Sequence, residues 1–165
     1  MQFYIDQELY LEMAEELPTH KDPPLAGGDY PLMLTGGHTR WSIHANWRDD
    51  KLMLQQQRGE PAAFISVGDA KRRGIRDGGD VRVYNDIDEF EIQAKVSNAV
   101  RDGQIIIYHA WENFQFKKGK GFQNLIPTPL NPVELAGGQF HLRPMVIAMQ
   151  PGCTDRDTRV EIEAL

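Results

Sequence analysis

The sequence predicts a mainly β, barrel-like domain with short helical insertions, and three observations carry that expectation. Residues 81–84 (VRVY) and 89–97 (EFEIQAKVS) alternate apolar and polar side chains, the pattern of half-buried strands. Residues 104–109 (QIIIYH) form a continuous apolar run, short enough for a strand and expected to be covered on both faces. No regular alternation of strand and helix runs through the chain, which argues against a doubly wound α/β sheet.

In order, residues 1–29 carry Phe3, Tyr4, Tyr10, Leu11 and Met13 at irregular spacing before a Pro/Gly-rich exit. They read either as an arm or linker from a longer chain or as a helix from about Gln7 to Leu17 on its own domain. Pro23-Pro24 and Gly27-Gly28 make the linker. Tyr30 to Leu34 reads as the opening strand, and residues 30–165 as one β-barrel domain. Asp49-Asp50 caps a short helix through Leu52–Leu54 that ends near Arg58-Gly59. Ala62–Ile65 is a strand. Ser66-Val67-Gly68-Asp69 has capping-box-like spacing with Asp in the Glu position, opening a helix that closes at Gly74, with Ile75 packing back on it. Turns at 77–80 and 85–88 frame the two alternating strands as a hairpin, with Phe90, Ile92, Ala94 and Val96 inward. Asp102-Gly103 turns the chain into the next strand. Lys117–Gly121 reads as a flexible loop, and prolines 127, 129 and 132 keep residues 126–133 irregular. Gly137–His141 is a second polar elbow, Pro144–Met149 a strand, and Arg159–Ile162 the last one.

A chain of 165 residues with 41% hydrophobic and 25% charged content is sized for one domain, burying roughly 70% of its unfolded surface. A formal charge of −6 argues against a nucleic-acid scaffold, so any anion-binding cations must be local. The single cysteine, Cys153, excludes an internal disulfide and a thiolate-rich metal site. Asp155 and Asp157 beside it would not activate a thiol. No run reaches membrane-span length, and the first 19 residues are too acidic for a secretory signal, so the compartment is not readable from them.

Chemistry concentrates in residues 30–47, YPLMLTGGHTRWSIHANW. Thr35-Gly36-Gly37 is expected to take positive φ and bring bare N–H groups close to an anion. His38, Arg40 and His44 supply donors or positive charge, Trp41 and Trp47 flat apolar surface, and no carboxylate precedes Asp49. Each residue alone reads as a glycine turn with solvated polar side chains; two Trp and two His within ten residues read as a site. The expected ligand is large, flat and phosphorylated. His109, ending an apolar strand, is either a donor to that ligand or a histidine satisfied by a core carbonyl. Gln139 and His141 either close the far side or form a surface turn. The two elbows are expected to meet across a barrel mouth. Lys71, Arg72 and Arg73 read as a solvated face or a docking contact. Metal binding by His38, His44, His109 and His141 is a weaker rival, since a six-residue histidine spacing in a loop is not a zinc pattern.

With these segments laid out, the sequence resembles the C-terminal domain of the large subunit in the dimethyl sulfoxide reductase family of molybdenum enzymes. The nearer likeness is to the ethylbenzene dehydrogenase, dimethyl sulfide dehydrogenase, selenate reductase and respiratory nitrate reductase subgroup. Residues 2–24, 35–61 (TGGHTRWSIHANWRDDKLMLQQQRGEP), 65–85, 103–112, 127–142 and 153–163 carry it in the family's order. The resemblance implies a double-psi β-barrel that caps a molybdenum bis(molybdopterin guanine dinucleotide) cofactor through backbone and polar contacts, without supplying the metal's ligand. It carries cofactor-binding roles onto Thr35, Gly36, Gly37, His38, Arg40, Trp41, Ser42 and His44, and onto His109, Trp111, Asn124, Gln139 and His141. It further implies that the chain is not catalytic alone and that its partners are the rest of a catalytic subunit, with iron–sulfur subunits or with iron–sulfur and haem b subunits. It leans to a periplasmic location. The whole enzyme would carry out anaerobic hydroxylation or dehydrogenation, or reduction of an oxyanion or oxide, at molybdenum. The alternatives are a stand-alone double-psi barrel used as an interaction module and a small histidine-dependent metalloenzyme.

Overall fold

The computed structural model describes residues 26–42, 46–126 and 158–165. Six strands close into a barrel: β1 (Leu32–Gly37), β2 (Ala62–Ser66), β3 (Asp80–Tyr84), β4 (Glu89–Ser97), β5 (Gln104–Tyr108) and β6 (Arg159–Ala164). The order around the wall is β1-β5-β2-β4-β3-β6. β1 runs parallel to β5 and β2 parallel to β4, while β5–β2, β4–β3, β3–β6 and β6–β1 are antiparallel. The mainly β fold expected from the alternating segments is therefore a closed six-stranded barrel.

Inward positions pack one core. Leu32 and Leu34, Ala63 and Ile65, Val81 and Val83, Phe90 and Ile92, Ile105 and Ile107, and Val160 and Ile162 are all at most 3% exposed. The period of two puts every second residue of each strand inside, and closure leaves no unpaired edge among the six described strands. β5 follows the same alternation, with Tyr108 exposed, so the expectation of a strand covered on both faces does not hold. An isoleucine-rich run signals two-sided burial, whereas Ile106 lies half-buried on the outer wall.

The helical insertions are short. Asp50 caps α1 (Lys51–Met53), its carboxylate accepting from Met53 N at 2.8 Å. The chain then widens into a π-helical turn, Leu54–Arg58, ended by Gly59 at φ 67°. Ser66 caps α2 (Val67–Arg72), its Oγ accepting from Asp69 N at 2.9 Å. Gly74 has φ 65°, and Ile75 folds back through its N–H to the Ala70 carbonyl at 2.9 Å. Arg72 and Arg73 do not form a merely solvated face. Arg73 bridges Asp69 (3.0 Å) and Glu161 of β6 (2.6 Å), and Arg72 bridges Asp69 and Asp102.

Lys117–Gly121 is pinned rather than flexible. Phe116 and Phe122 are buried, Phe116 packing edge-on to Phe90 of β4. Lys117, Lys118 and Lys120 pair with Asp80, Glu91 and Asp88 of the β3–β4 hairpin. The lysines and glycines signalled a loop; the phenylalanines on either side determine that it lies down. No helix among the described residues is long and apolar enough to cross a membrane. The expected N-terminal helix, the strand at Pro144–Met149, the second elbow and Cys153 lie outside the described residues.

Candidate functional site

β1 does not stop at Leu34. It continues through Thr35-Gly36-Gly37, and neither glycine is left-handed. Gly37 pairs with Tyr108 in the parallel β1–β5 ladder, and its carbonyl accepts from His109 N at 2.8 Å. A Cβ on Gly37 would come within 2.6 Å of the Tyr108 ring. The glycine thus lets a tyrosine lie across the strand, which corrects the expectation of an anion-cradling turn at positive φ.

Because β1 and β5 end side by side, the loops that follow them start together. The rings of His38 and His109 are 5.0 Å apart and tilted by 51°. The Arg40 guanidinium lies 5.3 Å from the Trp41 ring centre. Ser42 is buried and donates to the Asn46 carbonyl at 2.9 Å. Beyond it Arg48 pairs with Glu112 at 2.7 Å, and Gln115 donates to the Arg48 carbonyl at 3.0 Å, so the loop after β1 is tied to the loop after β5.

A cleft of about 460 Å³ lies between these loops and the barrel. Its floor is not the barrel mouth. Ala62 and Phe64 of β2, Gln93 and Lys95 of β4 and Tyr108 of β5 all alternate with inward core residues, so they project from the outer wall. Phe64 and Tyr108 meet there with ring centres 4.9 Å apart. The rim is His38, Thr39, Arg40 and Trp41 on one side and Gln57, Arg58, Glu60 and Trp111 on the other. The first elbow thus overhangs an outer face rather than a mouth; the second elbow lies outside the described residues.

Of the residues singled out from sequence, His38, Arg40, Trp41 and Trp111 line the cleft. His109 stands behind His38. Gly36 and Gly37 belong to the strand beneath, and Thr35 accepts a hydrogen bond from Gln104 Nε2 at 2.9 Å. Asn124 lies apart from the cleft, donating to Asp88 at 3.3 Å near the hairpin. His44, Gln139 and His141 lie outside the described residues.

Arg58 is the main residue that sequence reasoning passed over. Its guanidinium stacks 3.9 Å from the centre of the Trp111 ring and donates to the carbonyls of Arg48 (2.9 Å) and Ala110 (2.7 Å). Burial pulls its pKa below the ordinary value, but an arginine remains charged. Phe64, Gln93 and Lys95 were not singled out either: they lie on the outward faces of their strands, and only the overhanging loops turn that face into a wall.

The donor set suits a flat polyanion. Three cations, Arg40, Arg58 and Lys95, face one carboxylate, Glu60, among the described lining, alongside four aromatic rings, Trp41, Phe64, Tyr108 and Trp111. Guanidinium and ammonium groups bind phosphate oxygens, amides such as Gln57 and Gln93 read polar edges, and rings stack on a heterocycle. Among the described residues no group of three or more His, Cys, Asp or Glu is placed to hold a metal ion.

Residues 32–138 match the family described as the molydopterin dinucleotide binding domain. The chain is 41% identical to the respiratory nitrate reductase subunit alpha of Haloferax mediterranei, over 98% of this chain and 17% of that protein. It is 40% identical to the dimethylsulfide dehydrogenase subunit alpha of Rhodovulum sulfidophilum, over 85% of this chain and 16% of that protein. The chain therefore spans about a sixth of the length of the curated relatives it matches. Acetylene hydratase from Pelobacter acetylenicus shares the fold, with a TM-score of 0.63 at 14% identity over 96% of this chain and 23% of that one. On this match over most of the barrel, the chain belongs to the molydopterin dinucleotide binding domain family, alongside alpha subunits of the dimethyl sulfoxide reductase family.

Proposed function

We propose that this chain is the cofactor-capping part of a molybdenum oxidoreductase catalytic subunit, and that its cleft receives one guanine dinucleotide limb of a bis(molybdopterin guanine dinucleotide) cofactor. The observation that carries the reading is the cleft's lining, cationic and aromatic together in a protein whose overall charge is negative. Arg40 and Lys95 offer charge to the pyrophosphate, with Arg58 adding to the positive potential while it holds the loops. His38 offers an imidazole donor, Trp41 a face for a ring system, and Trp111, its ring covered by Arg58, an apolar wall. Thr35, Gly36, Gly37, Ser42 and His109 support that rim from beneath, and Asn124, His44, Gln139 and His141 are proposed to extend the contact surface beyond it. When bound, the cofactor supplies the redox chemistry at molybdenum. The chain's own residues neutralise phosphate charge, orient the dinucleotide and cover it. The substrate of the whole enzyme is proposed to be a small oxyanion or a sulfur compound, in keeping with relatives named for nitrate, perchlorate and dimethylsulfide. Its partners are proposed to be the remaining domains of the subunit and electron-carrying iron–sulfur and haem subunits.

GDP carries the guanine and pyrophosphate of the limb and serves as the probe. Titrated into the 165-residue chain, it is expected to quench tryptophan emission. Affinity should fall as salt rises, because the contact is ionic. Arg40→Gln and Lys95→Gln should each weaken binding about tenfold, the effect of one lost charge-assisted contact. Emission unchanged at millimolar GDP, or binding indifferent to both substitutions, would overturn the assignment of this cleft.

A further inference from the structure

Three residues other than glycine have left-handed backbone among the described residues: Trp47 (φ 64°), Ala110 (φ 65°) and Lys118 (φ 56°). An L side chain in that region crowds its own backbone, so the conformation persists only where surrounding contacts hold it. Lys118 is exposed in a turn next to Gly119. The other two share one partner. Arg58 Nη1 donates to the Trp47 carbonyl at 3.4 Å and the Arg48 carbonyl at 2.9 Å, while Nη2 donates to the Ala110 carbonyl at 2.7 Å. The guanidinium plane at the same time covers the Trp111 ring.

We propose that Arg58 is the positioning residue of the cleft, a single planar fork that keeps Trp47 and Ala110 left-handed and so sets where Trp111, His109 and His38 stand. Ala110 lies between His109 and Trp111. Were it to relax to negative φ, the chain direction on either side would change, and the tilted His38–His109 pair and the buried indole would move with it. An arginine is needed because three carbonyls in two loops must be met by donors in one plane that can also stack; an ammonium can do neither. The π-helical turn Leu54–Arg58 and the left-handed Gly59 after it aim the fork into this gap. The consequence for ligand binding rests on the dinucleotide reading of the cleft. The control of loop conformation does not.

The test separates the two. In the full chain with Trp41→Phe and Trp47→Phe, Trp111 is the sole indole and reports the loop directly. Arg58→Gln is expected to shift its emission to longer wavelength and raise its quenching by acrylamide, with the barrel's far-ultraviolet circular dichroism kept. Adding Ala110→Gly should restore shielding in part, because glycine takes positive φ without steric cost. Arg58→Lys should behave like Arg58→Gln, which covers the case in which the glutamine variant fails to fold. In the chain with all three tryptophans, Arg58→Gln should weaken GDP binding about tenfold, and Ala110→Gly should recover much of that loss. Unchanged Trp111 shielding in both Arg58 variants, or no restoration by Ala110→Gly, overturns the proposal. If shielding follows the expected pattern while no variant, nor the unaltered chain, binds GDP, the positioning role stands and the dinucleotide reading falls.

Discussion

A Cβ added to Gly37 would lie 2.6 Å from Cδ1 of Tyr108, closer than real side chains approach. Gly37→Ala should therefore push the tyrosine off the cleft floor and destabilise the chain by about 1–3 kcal/mol, the usual cost of overpacking. The combined variant Gly37→Ala/Tyr108→Ser should regain most of that, as a urea-unfolding double-mutant cycle would measure. Equal losses in the single and double variants would mean that the glycine is needed for another reason. The double glycine was conspicuous in the sequence, but its cause was not. A glycine before a polar loop looks the same whether it frees φ or makes room for a ring, and the ring that decides it lies across a parallel ladder seventy-one residues later. Arg58 was hidden for the same reason. Its fork closes on Ala110, 52 residues away, and nothing local marks it apart from other helix-terminal arginines.

At the scale of elements, α2 is fastened to the barrel through Asp69, which is 2% exposed. Burial by itself would raise the pKa of this carboxyl. The Gly103 N–H at 2.8 Å, with hydrogen bonds from Arg72 and Ser66, outweighs burial and holds it below the usual carboxylate range. A carboxyl depressed in the folded state contributes stability above its unfolded pKa, and that contribution is lost as pH falls through the folded value. Asp69→Asn should thus lower stability by about 1–3 kcal/mol at neutral pH. The deficit should shrink below about pH 4, where the parent loses what the variant never had. Urea midpoints for both proteins from pH 7 to pH 3 check this; a difference that stays constant or widens on acidification would be the wrong sign. The Ser66 cap and the Gly74 stop were legible because capping is a matter of residues three or four apart. The clamp onto Gly103 and Glu161 was not, since it joins the helix to strands that arrive later in the chain.

At the scale of the molecule, closure makes one core of six strands. Ile107 of β5 and Val83 of β3 are both fully buried. Ile107→Ala should cost about 2–5 kcal/mol by leaving a cavity. Against a typical total of about 5–15 kcal/mol that is a large loss, and the six strands share one core. The expected outcome is one cooperative unfolding transition with a lower midpoint and an unchanged denaturant slope, followed by both fluorescence and circular dichroism. Two separated transitions would indicate that part of the wall folds independently.

What the sequence by itself determined, among the described residues, was most of the strands, the two helix caps and the inward faces of the β3–β4 hairpin. Alternation, turn glycines and helix caps are relations between near neighbours, and a chain carries those relations wherever it goes. The family, too, was legible, because several motifs recur in order. Only the tertiary structure decided where the cleft lies and what shapes it. The outward residues of β2, β4 and β5 become a single floor through pairings between strands that are not consecutive, and the overhanging loops are held by an arginine from a third segment. Such geometry depends on register and closure, which are properties of the assembled barrel and of no stretch within it.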